Sequence, residues 1–410
     1  MRATHRLTLL TAIVQIGRAY TQDTCSWNLL SSIPEQNMCS VENMIDHMGD
    51  AQDGETFRQR NGSGDRKHNV WSTSPDCFRG YCAYTNNDFF GEGISAVTTA
   101  PNHNRIKQIQ APEIRSESDN GIFKVVGIPG KGRGLAATRA IRRGERIMAA
   151  KPALLVHRDV FGELPLQDVY SLMDMAVNSL SSLRKASYLA QAGTMGGHKI
   201  TDILFTNSFQ IALEENDGFH YGNFPEVSLL NHDCRPNLAF FIDQNLTHYT
   251  HAVRDIKPGE ELTISYVDPL EARSVRQERT RNSFGFSCGC SHCSLLKNES
   301  DASDSRLLII SRIANELSDF SSKTSSPAMI EEYVSLYRKE RLEYKIAEAY
   351  TLAALNYNLF GKAEMAKKYA LLAVDAGLLE SDSDAVGVQQ MKMIADDPKV
   401  HWSWNMKPYQ

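Results

Sequence analysis

Between Ile122 and Val267 the chain alternates short apolar, β-prone runs with Gly, Pro, Asn and Asp. The runs are IFKVVGI, ERIMAAKPALLV, LAFFI, YTHAVRDI and ELTISYV. Runs of this length bounded by turn formers predict strands. From Leu164 to Phe209 the period changes: LQDVYSLMDMAVNSLSSL spaces its apolar residues at three and four, which predicts a helical insertion among small strands. Further on, two Ser- and Asp-rich stretches, NESDASDS and SDFSSKTSSP, flank a helix with Leu307, Ile310, Ala314 and Leu317 on one face. Longer helices follow. One carries Ile330, Val334 and Tyr337; the next two end at Gly361 and Gly377, each placed as a C-cap glycine. That last pair looks like one tetratricopeptide-type hairpin, but no second copy follows at a fixed period, so a packing module is expected rather than a peptide-binding array.

Upstream, residues 50–75 are polar and Gly-rich and read as a long loop, and NHNRIKQIQAPEIRSESDNG closes the N-terminal region, placing a boundary near residue 112. The first residues combine two arginines, an apolar run from Leu7 to Ile16 and small residues ending at Ala19. This is the layout of a cleaved secretory signal, too short to span a bilayer. The expected organisation is a signal peptide at 1–19, a cysteine-containing region at 20–112, a strand-rich domain at 113–298 and a helical module at 303–410. A secretory or extracellular location follows if the signal is used, and the nucleus or cytoplasm otherwise.

Composition changes this picture little. With 410 residues and 42% hydrophobic content the chain can bury two or three cores, and a net charge of −5 gives no basic footprint for direct nucleic-acid binding. The eight cysteines matter more. Cys25, Cys39, Cys77 and Cys82 are irregularly spaced behind the candidate signal, which suits two disulfides in an oxidising compartment, with free thiols the alternative. Cys288, Cys290 and Cys293 instead form C-x-C-x2-C. A tetrahedral zinc site then needs a fourth ligand, for which His292 and Cys234 are both available.

GKGRGLAATRAIRRGE follows the strand FKVVGIP and fits a dinucleotide fingerprint loosely, but no helix follows the glycines as that unit requires. Glycines here still let backbone approach a small ligand. SLLNHDCRPN, from Ser228 to Asn237, mixes an apolar run with Asn, His and Cys.

Taken in order, GKGRGL, SLLNHDCRPN, EELTISYVD and CGCSHC resemble the SET-domain protein-lysine methyltransferases, over about residues 121–296. They are closest to the branch that carries a MYND finger, and similar also to fungal SET proteins with predicted signals. The resemblance implies an α+β chain: a β-rich SET fold with a knot-like crossing, a zinc-bearing post-SET segment, and here a C-terminal helical module. It implies S-adenosylmethionine as methyl donor, a protein lysine (histone or other) as acceptor, and zinc on Cys234, Cys288, Cys290 and Cys293, with His292 second choice. Tyr266 matches the catalytic tyrosine and Phe209 the aromatic wall of the lysine channel. Donor contacts match Lys131, Gly132, Arg133, Gly134, Asn207, Ser228, Leu229, Asn231, His232, Phe284 and Phe286, with Lys131 and Arg133 facing the donor's carboxylate and Phe284 standing where a tyrosine is common. Asn237 is expected to brace the crossing chain. Two departures stand out: Asp233 replaces a usual Ser, and the segment between Ala149 and Asn207, where a MYND finger would lie, has no cysteine. A protein partner on the helical module is a further expectation. The competing reading is a catalytically silent SET-fold binding protein, possible if the chain is secreted away from the donor's cytosolic source.

Overall fold

A computed structural model describes residues 70–110, 121–213 and 218–407. The candidate signal, Cys25 and Cys39 lie outside the described residues. The first described strands, β1 (Ser72–Phe78) and β2 (Tyr81–Asn86), form a hairpin whose two turn residues, Arg79 and Gly80, both have positive φ (48° and 87°). That is the turn whose twist suits a two-residue hairpin loop. It places Cys77 opposite Cys82, and the two are joined by a disulfide.

β3 (Ile94–Thr99) pairs with β2 and, in parallel, with β7 (Leu154–His157), so one six-stranded sheet runs across the boundary expected near residue 112. Residues 72–99 therefore share a sheet with the strand-rich domain. β8 (Ser208–Ala212) and β9 (Phe219–Asn223) complete this sheet. One side of it is covered by the inserted helices Leu166–Asn178, Ser182–Leu189 and Lys199–Asn207, through Val97, Leu154, Leu172, Met173 and Leu204. The three-and-four spacing was the signal for these helices, and their apolar faces are what the sheet buries.

The other strands form two small sheets. In the four-stranded one, β4 (Phe123–Ile128) and β5 (Gly132–Ala137) are joined by a three-residue loop in which Gly130 has φ 75°, and Gly132 opens β5 at φ 78°. β5 occupies the place where a nucleotide-binding helix would have to start. β10 (Asn231–His232) lies parallel to β13 (Glu261–Ile264). In the third sheet β11 (Leu238–Ile242) and β6 (Arg146–Ala150) flank β12 (His248–Ala252). Leu135, Ile147, Leu230, Leu238, Leu262 and Ile264 form the shared core beneath these strands.

The C-terminal helices are Lys297–Ser318, Pro327–Lys339, Ile346–Leu359, Ala363–Gly377 and Val386–Asp396, packed around a second core. Two expectations change here. NESDASDS does not flank the first of these helices but forms the first turns of Lys297–Ser318, where the Leu296 N–H donates to Glu299 Oε2 (3.3 Å) and Ser303 is buried. Gly361 does turn the chain at φ 67°, but Gly377 stays inside its helix, which closes on Leu378 in the right-handed region. Finally, Val386–Asp396 is a helix that the apolar spacing did not announce. No helix of the described residues is long and apolar enough to cross a membrane.

Candidate active site and metal centre

The stretch from Ser228 to Asn237 is held between two strands. A short 3-10 turn, Val227–Leu229, carries Ser228, whose Oγ donates to the Pro225 carbonyl (2.7 Å). β10 follows, and its register sets Asn231 against Thr263 and His232 against Ile264. Asn237 closes the passage: its Nδ2 donates to the Glu261 carbonyl (2.8 Å) and its Oδ1 accepts from the Thr263 N–H (2.9 Å). The expected bracing is therefore made by both ends of one amide.

Parallel pairing delivers His232 to the end of β13, where Tyr266 follows. The Tyr266 N–H donates to His232 Nδ1 (3.0 Å), so the neutral ring carries its proton on Nε2, which lies 3.3 Å from Cys234 Sγ. Burial holds the imidazole neutral, pushing its pKa down to about 3. The Tyr266 hydroxyl donates to the Leu230 carbonyl (2.6 Å), and burial raises the phenol well above its usual value. Around it stand His232, Phe284 and Phe286, with ring centroids 5.4, 5.0 and 6.3 Å from that of Tyr266. Phe284 ends the helix Arg273–Phe284, and Gly285 at φ 70° turns the chain so that Phe286 returns to the same cluster.

The glycine loop meets this turn from the other side. A Cβ on Gly134 would lie 2.5 Å from Asn231 Nδ2, so only glycine lets that amide reach the Arg133 carbonyl (3.2 Å) and Glu261 Oε1 (2.9 Å). Nothing lies within 4 Å of a Cβ position on Gly132. Lys131 pairs with Glu261 Oε2 (2.7 Å) and Arg133 Nη2 donates to the Ala190 carbonyl (2.6 Å). In this structure both cations thus have protein partners rather than an open face. Glu261, which joins Lys131 to Asn231, went unmarked even though it stands within the EELTISYVD motif.

Two other expected residues lie on the elements before the donor turn. Phe209, on β8, packs edge-on against Phe224, Phe240 and His248, with centroids 5.7, 5.2 and 4.7 Å away. Asn207 spends its amide on the carbonyls of Ala192 (2.7 Å) and Ile203 (2.8 Å).

The four cysteines of the second set converge: the Sγ atoms of Cys234, Cys288, Cys290 and Cys293 all lie within 4.8 Å of one another, and all four residues are buried. Gln277 clamps this segment by donating from Nε2 to the Cys288 carbonyl (2.6 Å) and accepting from its N–H on Oε1 (3.1 Å). His292 lies outside the group, with Nε2 3.3 Å from Ser303 Oγ, so the fourth sulfur is that of Cys234. Four buried thiols at this spacing are a donor set suited to tetrahedral zinc.

The profile of the SET domain matches residues 132–267. The chain is 32% identical over 175 residues to "Histone-lysine N-methyltransferase set5" of Schizosaccharomyces pombe, covering 42% of this chain and 51% of that one. It is 40% identical over 96 residues to human "Histone-lysine N-methyltransferase SMYD3" and 40% identical over 87 residues to human "N-lysine methyltransferase SMYD2". Those two matches cover 23% and 21% of this chain and 22% and 20% of the relatives. The chain thus spans about half the length of the first relative and about a fifth of the other two.

Proposed function

We propose that this chain, which carries a SET domain, transfers a methyl group from S-adenosylmethionine to the side-chain amine of a protein lysine, with zinc holding the post-SET segment. The observation that carries the reading is His232, whose two ring nitrogens join the Tyr266 backbone to Cys234, so that one residue sets the phenol, the donor turn and the metal ligand in register.

The residues fit the donor. Gly132 leaves open space beside the Lys131 and Arg133 cations, and Gly134 lets the Asn231 amide lie against the loop backbone. Tyr266, Phe284 and Phe286 offer ring faces nearby. When bound, the donor supplies an electrophilic methyl on sulfur. Lys131 and Arg133 are placed to exchange their protein partners for its carboxylate, while Asn231, His232, Ser228, Leu229 and Asn207 shape the remaining wall. Tyr266 donates its proton to the Leu230 carbonyl, so toward the substrate amine its oxygen acts as an acceptor and aligns the nitrogen lone pair. Aromatic side chains around the phenol keep water from the reacting nitrogen. Phe209 is proposed to wall the lysine's approach. Zinc on the four cysteines would tie the Phe284–Phe286 segment to the donor turn.

Histones are the acceptor suggested by the names of two relatives, and other proteins remain within the reading. A partner on the helical module belongs to it as well. The Cys77–Cys82 bridge supports an oxidising compartment, and non-reducing mass mapping of native protein tests this by looking for the linked peptide and a start near Tyr20.

The main test is calorimetric titration of the full chain with S-adenosylmethionine, followed by transfer of labelled methyl to core histones and lysine peptides. One donor bound per chain and labelled lysine are expected. Absence of donor binding by folded, zinc-loaded protein overturns the proposal.

A further inference from the structure

We propose that residues 190–197, a loop of the helical insertion, form a cover over the methyl-donor pocket, and that Asp202 is the positioning residue that gives this cover its shape. This role rests on the donor reading given above.

The loop leaves the helix Ser182–Leu189 and ends where the helix Lys199–Asn207 begins. Three contacts lay it against residues assigned to the donor. Arg133 Nη2 donates to the Ala190 carbonyl (2.6 Å), and Asn207 Nδ2 donates to the Ala192 carbonyl (2.7 Å). Thr194 lies over the turn between Phe284 and Phe286, with its Cβ 3.4 Å from the place that a Cβ on Gly285 would take. One short loop thus joins the glycine loop on one side to the aromatic turn on the other. Its root is fixed by Gln191 and Asn223, both buried, whose amides bond each other in both directions (2.8 and 3.0 Å). Beyond that root, residues 192–197 face solvent.

The exposed half is shaped by one carboxylate. Asp202 Oδ1 accepts from the N–H groups of Thr194 (3.0 Å) and Met195 (2.8 Å), and Oδ2 accepts from the Gly196 N–H (3.1 Å). Bonds to an ionised acceptor are stronger than neutral ones, so these three hold backbone that neither strand nor helix supports. Gly193 makes the approach possible, because a Cβ there would overlap Asp202 Oδ2. Asp202 stands on the helix that ends at Asn207, so a single rigid element carries both the brace of the cover and a residue of the donor wall. When Arg133 turns to the donor's carboxylate, Ala190 loses that bond. The cover then keeps its place through Asp202, Asn207 and the Gln191–Asn223 pair.

A cover governs how fast a bound molecule leaves, which a residue that only stabilises the fold does not. In zinc-loaded full-length chain, S-adenosylhomocysteine should dissociate about 10-fold or more faster from Asp202→Ala than from the parent, with association no slower. KM for S-adenosylmethionine should rise while kcat does not fall, since Tyr266 and the lysine's approach are untouched. Asp202→Asn keeps one acceptor oxygen and should lie between the two. Equal dissociation rates for Asp202→Ala and parent overturn the proposal. So does a loss of melting temperature and kcat with KM unchanged, which would mark a purely structural residue. If Asp202→Ala does not fold, Asp202→Asn decides alone: dissociation from that folded variant at the parent's rate is the contrary result. A parent chain that binds no S-adenosylhomocysteine would instead refute the donor reading itself, and the cover with it.

Discussion

Arg235 grips Glu340 with two nitrogens: Nη2 reaches Oε2 at 3.1 Å and Nε reaches the backbone carbonyl at 2.5 Å, with the two side chains 2% and 1% exposed. Arg235 also donates to the carbonyl of Cys234 (2.8 Å), while Glu340 accepts from Ser303 (2.7 Å) and Arg306 (2.5 Å). The candidate metal turn is thereby bound to the helical module. Replacing Glu340 with Ala leaves two guanidiniums short of their carboxylate, one of them deeply buried, and should cost about 3–5 kcal/mol in chemical denaturation. Loss below about 1 kcal/mol, the range of an exposed pair, would show that the module and the turn are not coupled through this pair.

Gly134 and Asn231 make a second test. Gly134→Ala puts a methyl where the Asn231 amide now lies, 2.5 Å away. Affinity for S-adenosylmethionine should fall by about 10-fold or more, while the fold survives, because the half-buried Asn231 amide loses its place and its partners at a cost of ~1–3 kcal/mol. Asn231→Ala should fall in the same direction. Unchanged donor affinity in both would move the donor site elsewhere.

For Tyr266, removal of one oxygen separates alignment from packing. Tyr266→Phe should bind donor as the parent does and lose about 100-fold or more in kcat, since the aligning contact matters most in the transition state. Because burial raises the phenol's pKa, methyl transfer should rise with pH as the substrate amine loses its proton, with no falling limb from Tyr266 near ~10, where an ordinary phenol ionises. Equal kcat for variant and parent would remove Tyr266 from catalysis.

Lys151 carries a pH signature of the fold. It is 4% exposed, donates to Thr247 Oγ1 and lies 4.3 Å from the Phe90 ring centroid. Burial lowers its pKa to about 8. A lysine pKa below its unfolded value means that the unfolded chain holds the proton more tightly. The charged form therefore opposes folding fully below pH ~8, and the penalty is relieved as pH rises from ~8 to ~10.5. Denaturant melts should show the parent gaining up to about 3 kcal/mol on Lys151→Met across that range. A flat difference would show that Lys151 is not buried in its charged form.

The sequence by itself determined what is local or patterned. Turn formers between apolar runs marked β4, β11 and β13, the three-and-four spacing marked the helical insertion and the C-terminal helices as far as Gly377, and C-x-C-x2-C announced a thiolate site. Ordered motifs pointed to the SET domain. Tertiary structure alone decided the partners of residues distant in the chain. Whether Cys234 or His292 joined the other three cysteines depended on β10 lying parallel to β13, a pairing that no local period records. β5 was hidden because its glycines have weak strand preference, and only its neighbours β4 and β13 make it a strand. The helix through NESDASDS was hidden for a related reason: a polar stretch with little helix preference is fixed by the Ser303 bond to Glu340, 37 residues away. Arg235 and Glu340 carry no motif. A charged residue reads as surface in one dimension, and only its enclosure with an opposite charge reveals that it is buried.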